Sequence, residues 1–392
     1  MKKIIFSIVL AVITIPLFSQ DNLSSVVNEI ESNSKTLKAI RQQIEAQKLE
    51  NRTDIFLHDP EVEFSYLWGK PSDIGVQKEF SVMQDFDFPT AYGHRKKISK
   101  MQNSSLELQY KSERMELLLR AKQICIELAY YNALSREYES RLDNARQIAS
   151  SYKSKFDHGD TSVLEKNKAL INLTTVENEN KMIDLERKSL LSELKALNGG
   201  IDIVFDETVI FSTPLPSDFH SWYAEAETKS PSLQYLGKRI DIENQEVKLN
   251  TALALPKFSA GYASEKVIGE EFKGISVGIS IPLWENRNKI KKAKAQVKSS
   301  ELFLEDSKIQ FYTHLQHLYT KTSGLQENAQ SYRSSMSEYS NESLLKKALD
   351  SGQISLLEYL LETEFYYDVM NKTLEAEKDY NLSLAELRAV EI

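Results

Sequence analysis

The sequence predicts an α+β membrane protein: long coiled-coil-like helices plus short alternating strands, arranged as two copies of one unit. Three observations predict it. A single sequence shift joins separated segments of the chain, long stretches carry no helix breaker, and four short segments alternate apolar and polar residues.

The 392-residue chain holds 57 Asp and Glu against 49 Lys and Arg, interleaved along its length, which excludes the basic footprint of a nucleic-acid binder. Lys2 and Lys3, followed by the apolar run Ile4 to Phe18 and the small residue Ser19 before Gln20, read as a secretory signal peptide over residues 1–19. The run is too short for a comfortable span of about 20 residues, and no Cys follows it to take a lipid anchor. Cys125 is the only cysteine, so no internal disulfide is expected. Beyond Ser19 no apolar run reaches the length of a membrane helix. If the mature protein enters a membrane, it does so as a β-barrel.

The repeat organises everything else. Phe156–Glu165 resembles Leu349–Glu358, with Gly159 on Gly352 at a shift of 193, and the same shift brings Pro89 onto Pro282 and Leu191–Leu197 onto Leu384–Val390. Upstream, Leu37 falls on Leu233 and Pro60 on Pro256 at a shift of 196. The change places a three-residue length difference between Pro60 and Pro89, where a loop tip is expected. The copies are assigned to 20–199 and 219–392, each ordered helix, strand, strand, long helix, turn, helix. The segment 200–218 is read as a linker, with short strands at Ile201–Phe205 and Val209–Phe211 before Pro214 and Pro216.

From Leu117 the apolar positions Ala121, Ile124, Leu128, Tyr131, Leu134, Tyr138, Leu142, Ala145, Ile148, Tyr152 and Phe156 follow in steps of three and four, a coiled-coil-like seam. The stretch from Tyr92 to Asp157 has no Pro and, after Gly93, no Gly. At 1.5 Å per residue it makes one helix roughly 95–100 Å long. Its counterpart is expected over about Glu285–Asp350. Gly159 and Gly352 can take the left-handed conformation that ends a helix. Ser162-x-x-Glu165 and Ser355-x-x-Glu358 are capping boxes that start the next one.

Four segments alternate with period two: Val62–Trp68, Phe80–Phe88, the weaker Phe258–Tyr262, and the clean alternation of Ile275, Val277, Ile279 and Ile281 with Gly274, Ser276, Gly278 and Ser280. One face is apolar and the other small or acidic, the pattern of a water-filled barrel wall. Trp68, Tyr262 and Trp284 suit interfacial aromatic belts. Four strands cannot close a water-filled barrel, so subunits must pool them.

These features resemble the outer-membrane efflux proteins, the TolC-like channels. Gly274–Ala293 looks like that family's strand, Pro turn and start of the long helix, and Ser81–Lys97 looks like its degenerate first copy, with Pro89 at the turn. The Gly-x-x-Ser-x-Leu-Glu run of each copy is similar to the family's helix-tip turns. The resemblance implies a homotrimer whose subunits each add four strands to a twelve-stranded barrel, above a tunnel of long helices in the periplasm. It implies residence in the outer membrane of a Gram-negative-type envelope, in contact with its lipid. It also implies a periplasmic adaptor (membrane fusion) protein and an inner-membrane efflux pump as partners, in tripartite efflux or type I secretion. Residues 200–218 leave little for an equatorial domain.

Within that frame Gly159, Ser162, Gly352 and Ser355 are candidates for adaptor contact, or are turn chemistry alone. Asp157, Asp160 and Asp350 would form rings of like charge under three-fold symmetry, able to select cations or hold a gate, or are solvated cap residues. Pro89 and Pro282 mark the barrel-to-helix turns. His314 and His317 share a helix face, but no metal signature, nucleophile-base set or phosphate loop is present, so no cofactor, metal or reaction is expected. Two other readings are a periplasmic adaptor or scaffold with helical hairpins, which calls for a lipoyl-like module flanking one hairpin, and a porin-like uptake duct, which the long helices oppose.

Overall fold

A computed structural model describes residues 22–210, 213–338 and 342–392. The signal peptide expected over residues 1–19, Gln20, and Phe211 of an expected strand lie outside the described residues. The first copy comprises α1 (Asn22–Asn33), α2 (Lys35–Glu50), β1 (Glu61–Trp68), β2 (Val76–Phe86), α3 (Pro89–Asp157) and α4 (Val163–Leu197). The second comprises α5 (Phe219–Lys229), α6 (Pro231–Leu253), β3 (Lys257–Val267), β4 (Glu270–Ser280), α7 (Lys289–Glu338), α8 (Glu342–Asp350) and α9 (Leu356–Leu387). The elements recur in the order the repeat implies.

The opening helix of each copy is two helices rather than one. The breaks fall at Ser34 and Ser230, which the 196-residue shift superposes. Both serines are buried. Ser230 accepts from the Leu233 amide at 3.4 Å and is followed by Pro231 at the first helical position, so it caps α6. The three-residue difference is also located. Two of the residues come from the hairpin tip, where β1 has 8 residues and leads into a connection over 69–75 while β3 has 11 and turns at Ile268–Gly269; the third lies after the hairpin, where Asp87 and Phe88 precede Pro89 but Ile281 alone separates β4 from Pro282.

The chain packs as two compact units, each drawing on both copies. The first takes the described residues up to Ser34 with Arg120–Thr213 and Leu325–Leu382; the second takes Lys35–Leu119, Pro214–Gly324 and Ser383–Ile392. In the first unit the seam of α3 is the core: Ala121, Ile124, Leu128, Leu134, Tyr138, Leu142, Ala145 and Ile148 are buried. Leu134 and Tyr138 meet Ile183 of α4. Steps of three and four keep these side chains on one helical stripe, which is why the seam shows as a pattern.

The strand expected at Ile201–Phe205 does not form, nor do Val209 and Ile210, the described residues of the one expected at Val209–Phe211, belong to a strand; 201–210 is irregular. The alternation is real but has another cause. Ile203 and Phe205 are buried while Val204 points out at 78% exposure. An extended segment laid on helices has the same period as a strand. Its carbonyls are satisfied by side chains instead of a ladder: Asn132 Nδ2 donates to the Phe205 and Glu207 carbonyls at 3.0 Å each. Asn132 Oδ1 accepts from Arg187 Nε at 2.8 Å.

In the second unit Arg41 and Lys48 of α2 clamp Glu107 of α3, at 2.8 and 2.5 Å. Phe219 packs among Trp222, Tyr223, Tyr312 and Tyr319, with ring centroids 5.3–6.2 Å from it. The segment after Pro214 is tied down by Arg388 Nη2 donating to the Pro214 carbonyl at 2.7 Å and Tyr319 Oη to that of Pro216 at 2.9 Å.

Candidate functional site

Two places carry the chemistry expected of a duct: the four-stranded sheet in the second unit and the paired helix turns in the first. The sheet is antiparallel with order β1-β2-β3-β4, so the two copies join through β2 and β3. Within the chain β1 and β4 are edge strands.

The register sorts every strand residue to one of two faces. Val62, Val82, Tyr262 and Ile275 form one continuous row, and Phe86, Phe258 and Ile279 another on the same face. Among the described residues much of that face stays exposed: Ile275 is 86% exposed and Val277 79%. Each such side chain gains about 1.5–3 kcal/mol on leaving water, so the face favours an apolar surrounding. The opposite face carries Glu61, Glu63, Glu79, Asp85 and Glu265 among serines and glycines. Gln77 Nε2 bridges Glu79 and Glu265, donating to an oxygen of each at 2.6 Å. An 11-residue strand rises about 36 Å. Tilted as barrel strands are, it crosses an apolar band about 25 Å tall.

The expected third strand, Phe258–Tyr262, runs on to Val267, and the second begins at Val76 and ends at Phe86, short of Phe88. Sequence reading therefore missed Glu79 and Glu265. Its alternation test stopped where Lys78 on one strand, and Ser264 followed by Lys266 on the other, interrupt the apolar face.

The helix turns are built twice by the same means. At the end of α3, Gly159 has φ +83°, and the Gly159 and Asp160 amides donate back to the Phe156 and Lys155 carbonyls at 3.0 and 2.8 Å. At the end of α8, Gly352 has φ +73°, and the Gly352 and Gln353 amides donate to Leu349 and Ala348 at 3.0 and 2.9 Å. Both are Schellman closures, and glycine supplies the left-handed residue. The restart differs. Ser355 and Glu358 form the full reciprocal box: the Glu358 amide donates to Ser355 Oγ at 3.2 Å and the Ser355 amide to Glu358 Oε2 at 2.8 Å. Hydrogen bonding of the carboxyl to the Ser355 backbone first, and to the Ser355 side chain second, holds Glu358 below its ordinary range. In the first copy only half the box closes. Ser162 Oγ accepts from the Glu165 amide at 3.3 Å, while the Glu165 carboxylate turns to Lys168 at 3.2 Å.

One core brings these turns together. Ile148 of α3, Ala169 of α4, Leu349 of α8, and Leu356 and Tyr359 of α9 are buried against each other. Asn144 Nδ2 donates to Tyr359 Oη at 2.6 Å. Gly159, Ser162, Gly352 and Ser355 thus belong to one packed assembly of two hairpins. Asp157, Asp160 and Asp350 lie exposed beside them.

Pro89 and Pro282 are equivalent in sequence but not in structure. Pro89 is the first residue of α3. Asp87 before it accepts from Arg95 Nη2 at 2.5 Å, and its amide donates to Tyr92 Oη at 2.9 Å, which latches the helix start. The 193 shift places Ser280, Glu285 and Asn288 at those positions, so the latch is lost. The chain turns over 281–288 instead, and the helix begins at Lys289 rather than near Glu285. Asn288 takes φ +67° there, a conformation Asn tolerates better than most residues. The described part of the expected Glu285–Asp350 helix is α7 and α8, and 339–341 between them lie outside the described residues.

Cys125 is buried, and burial pushes its thiol up to about 12, consistent with a packing role. His314 Nε2 lies 3.9 Å from Glu386, and no third ligand-type side chain joins them among the described residues. Among the described residues no helix is long and apolar enough to cross a membrane.

No protein-family model matches the chain, and no curated protein matches it. Solved structures do. CusC, described by its transmembrane channel formation, aligns with a TM-score of 0.78 at 15% identity, over 95% of this chain and 92% of its own. VceC, an outer membrane protein of Vibrio cholerae, aligns at 0.75 with 14% identity, over 95% and 96%. The Campylobacter jejuni CmeC outer membrane channel aligns at 0.74 with 16% identity, over 94% and 85%. The chain has the TolC-like channel fold of these proteins over nearly its whole described length, repeat and strand sheet included.

Proposed function

We propose that this chain is the subunit of an outer-membrane efflux channel. Three copies pool their strands into a twelve-stranded barrel, and the long helices line a periplasmic duct. The observation that carries the reading is the sheet: a bare apolar face, a carboxylate-rich opposite face and two open edges in one chain. A soluble protein has no use for such a wall. A barrel satisfies both faces and both edges at once. The fold shared with CusC, VceC and CmeC supports the same reading.

The protein then acts as a conduit and catalyses nothing. A pump in the inner membrane supplies the driving force, through a periplasmic adaptor that grips the turns at Gly159–Ser162 and Gly352–Ser355. Asp157, Asp160 and Asp350 would ring an entrance in a three-fold assembly. Tripartite efflux and type I secretion both fit this scheme.

Reconstitution of the purified full-length protein into planar bilayers tests the channel: discrete conductance steps are expected. Recovery in the soluble periplasmic fraction without detergent, with no conductance, would sink the reading and favour a periplasmic scaffold. Charge reversal at Asp157 and Asp160 should change the cation preference of the conductance if these residues border the entrance.

A further inference from the structure

The apolar face of the sheet does not stay apolar. Toward the hairpin turns it reaches the row Tyr66, Lys78, Lys266, Glu271, preceded by Phe64, Phe80, Ser264, Lys273. All three lysines are exposed. Lys78 and Lys266 stand directly opposite each other on paired strands, a like-charge juxtaposition that destabilises a sheet. Glu271 is the one carboxylate on this part of the face. It lies opposite Lys266 in register and 4.0 Å from Lys273 Nζ. One carboxylate among three ammonium groups leaves a net positive patch. Lys78 Nζ sits 5.3 Å over the Tyr66 ring, which itself packs edge-on to Trp68 at 5.3 Å.

A lysine facing lipid costs about 2–4 kcal/mol at the midplane and little near the interface. The lysines therefore mark where the apolar band meets the headgroups, the level that Tyr66 and Trp68 also suit. We propose that Lys78, Lys266 and Lys273 bind the phosphate groups of anionic lipid at the outer edge of the barrel. A phosphate between Lys78 and Lys266 relieves the repulsion that the register imposes. The inference rests on the barrel reading, because it takes this face to be in lipid.

The test uses the full-length protein in vesicles of phosphatidylcholine containing a minority of phosphatidylglycerol, with lipid retained by the detergent-extracted protein measured by mass spectrometry. The wild type should retain the anionic lipid preferentially. Each lysine replaced by glutamine should weaken that preference about fivefold, whereas Lys→Arg at the same positions should keep it and Glu271→Gln should strengthen it. Equal retention by the wild type and the K78Q/K266Q/K273Q variant overturns the proposal. So does displacement of the lipid by inorganic phosphate at matched concentration, which would make the patch a free-anion site. If the triple variant does not insert, the single variants carry the same comparison. Conductance recorded from the same vesicles separates the two readings: channels without lipid preference reject the lipid site alone, and lipid preference without channels rejects the duct alone.

Discussion

Glu107 accepts from Lys48 at 2.5 Å and from Arg41 at 2.8 Å, and these two bonds, Lys48 first, hold its carboxyl below the ordinary range. A carboxyl depressed in the folded state contributes stability above its unfolded value, near 4.3, and loses it as pH falls through the folded value. The carboxylate is 40% exposed, so solvent screens the pair and the contribution is at most about 1 kcal/mol. Glu107→Gln should therefore lower stability slightly at pH 7, with the difference from wild type vanishing in more acid solution; parallel urea titrations at both pH values would check it. A second residue-scale prediction concerns the β3–β4 turn, where Ile268 is held at φ +40° before Gly269 at +84°. This two-residue turn favours Asn-Gly, and a β-branched residue there is strained. Ile268→Asn should raise the denaturation midpoint, by an amount equivalent to about 1 kcal/mol. Neither feature is visible in the sequence: the ion pair links helices far apart in the chain, and the strain exists only because the turn is so short.

Capping energies and side-chain tethers belong to the scale of the element. Ser355 closes a reciprocal box and Ser162 only half of one. Ser355→Ala should thus cost about 1 kcal/mol and Ser162→Ala less, measurable as unequal rises in hydrogen exchange at the starts of α9 and α4. Asn132 makes three hydrogen bonds while only 4% exposed. Asn132→Ala removes the side-chain partner of two carbonyls and of Arg187 Nε, and is expected to cost about 2–3 kcal/mol and to speed amide exchange across residues 201–210 selectively. Unchanged exchange there would mean that burial of Phe205 alone holds the segment. The turns are legible in the sequence because their chemistry is local: a glycine, then a serine three residues on, then a glutamate. The segment 201–210 reads falsely as strand because alternation reports which side chains are buried, not what satisfies the backbone.

At the scale of the whole molecule, the sheet cannot be finished by one chain. If copies of this chain complete it, β4 of one meets β1 of the next. Cysteines at Ser65 on β1 and at Ser276 on β4 lie on the same carboxylate-rich face, yet β2 and β3 separate them within a chain. Paired with neighbouring positions along β4 to cover the register, they should give covalent trimers on mild oxidation. Exclusively monomeric product across the scan would count against barrel closure. Cys125 need not be removed, since its buried, neutral thiol should stay inert until the protein unfolds.

The repeat, the α3 seam, the two left-handed glycine turns and the apolar-polar division of the strands were all determined by the sequence, because each depends on residues near one another and on a fixed period. The tertiary structure decided what the period could not. It broke the opening helices at Ser34 and Ser230, with a buried serine at each break. It made Pro89 a helix start and Pro282 a loop, because the Asp87–Arg95 latch exists in one copy only. It also set the register that puts Lys78 against Lys266 and Glu79 near Glu265. Register and latches are choices among partners distant in the chain, and only packing selects among them.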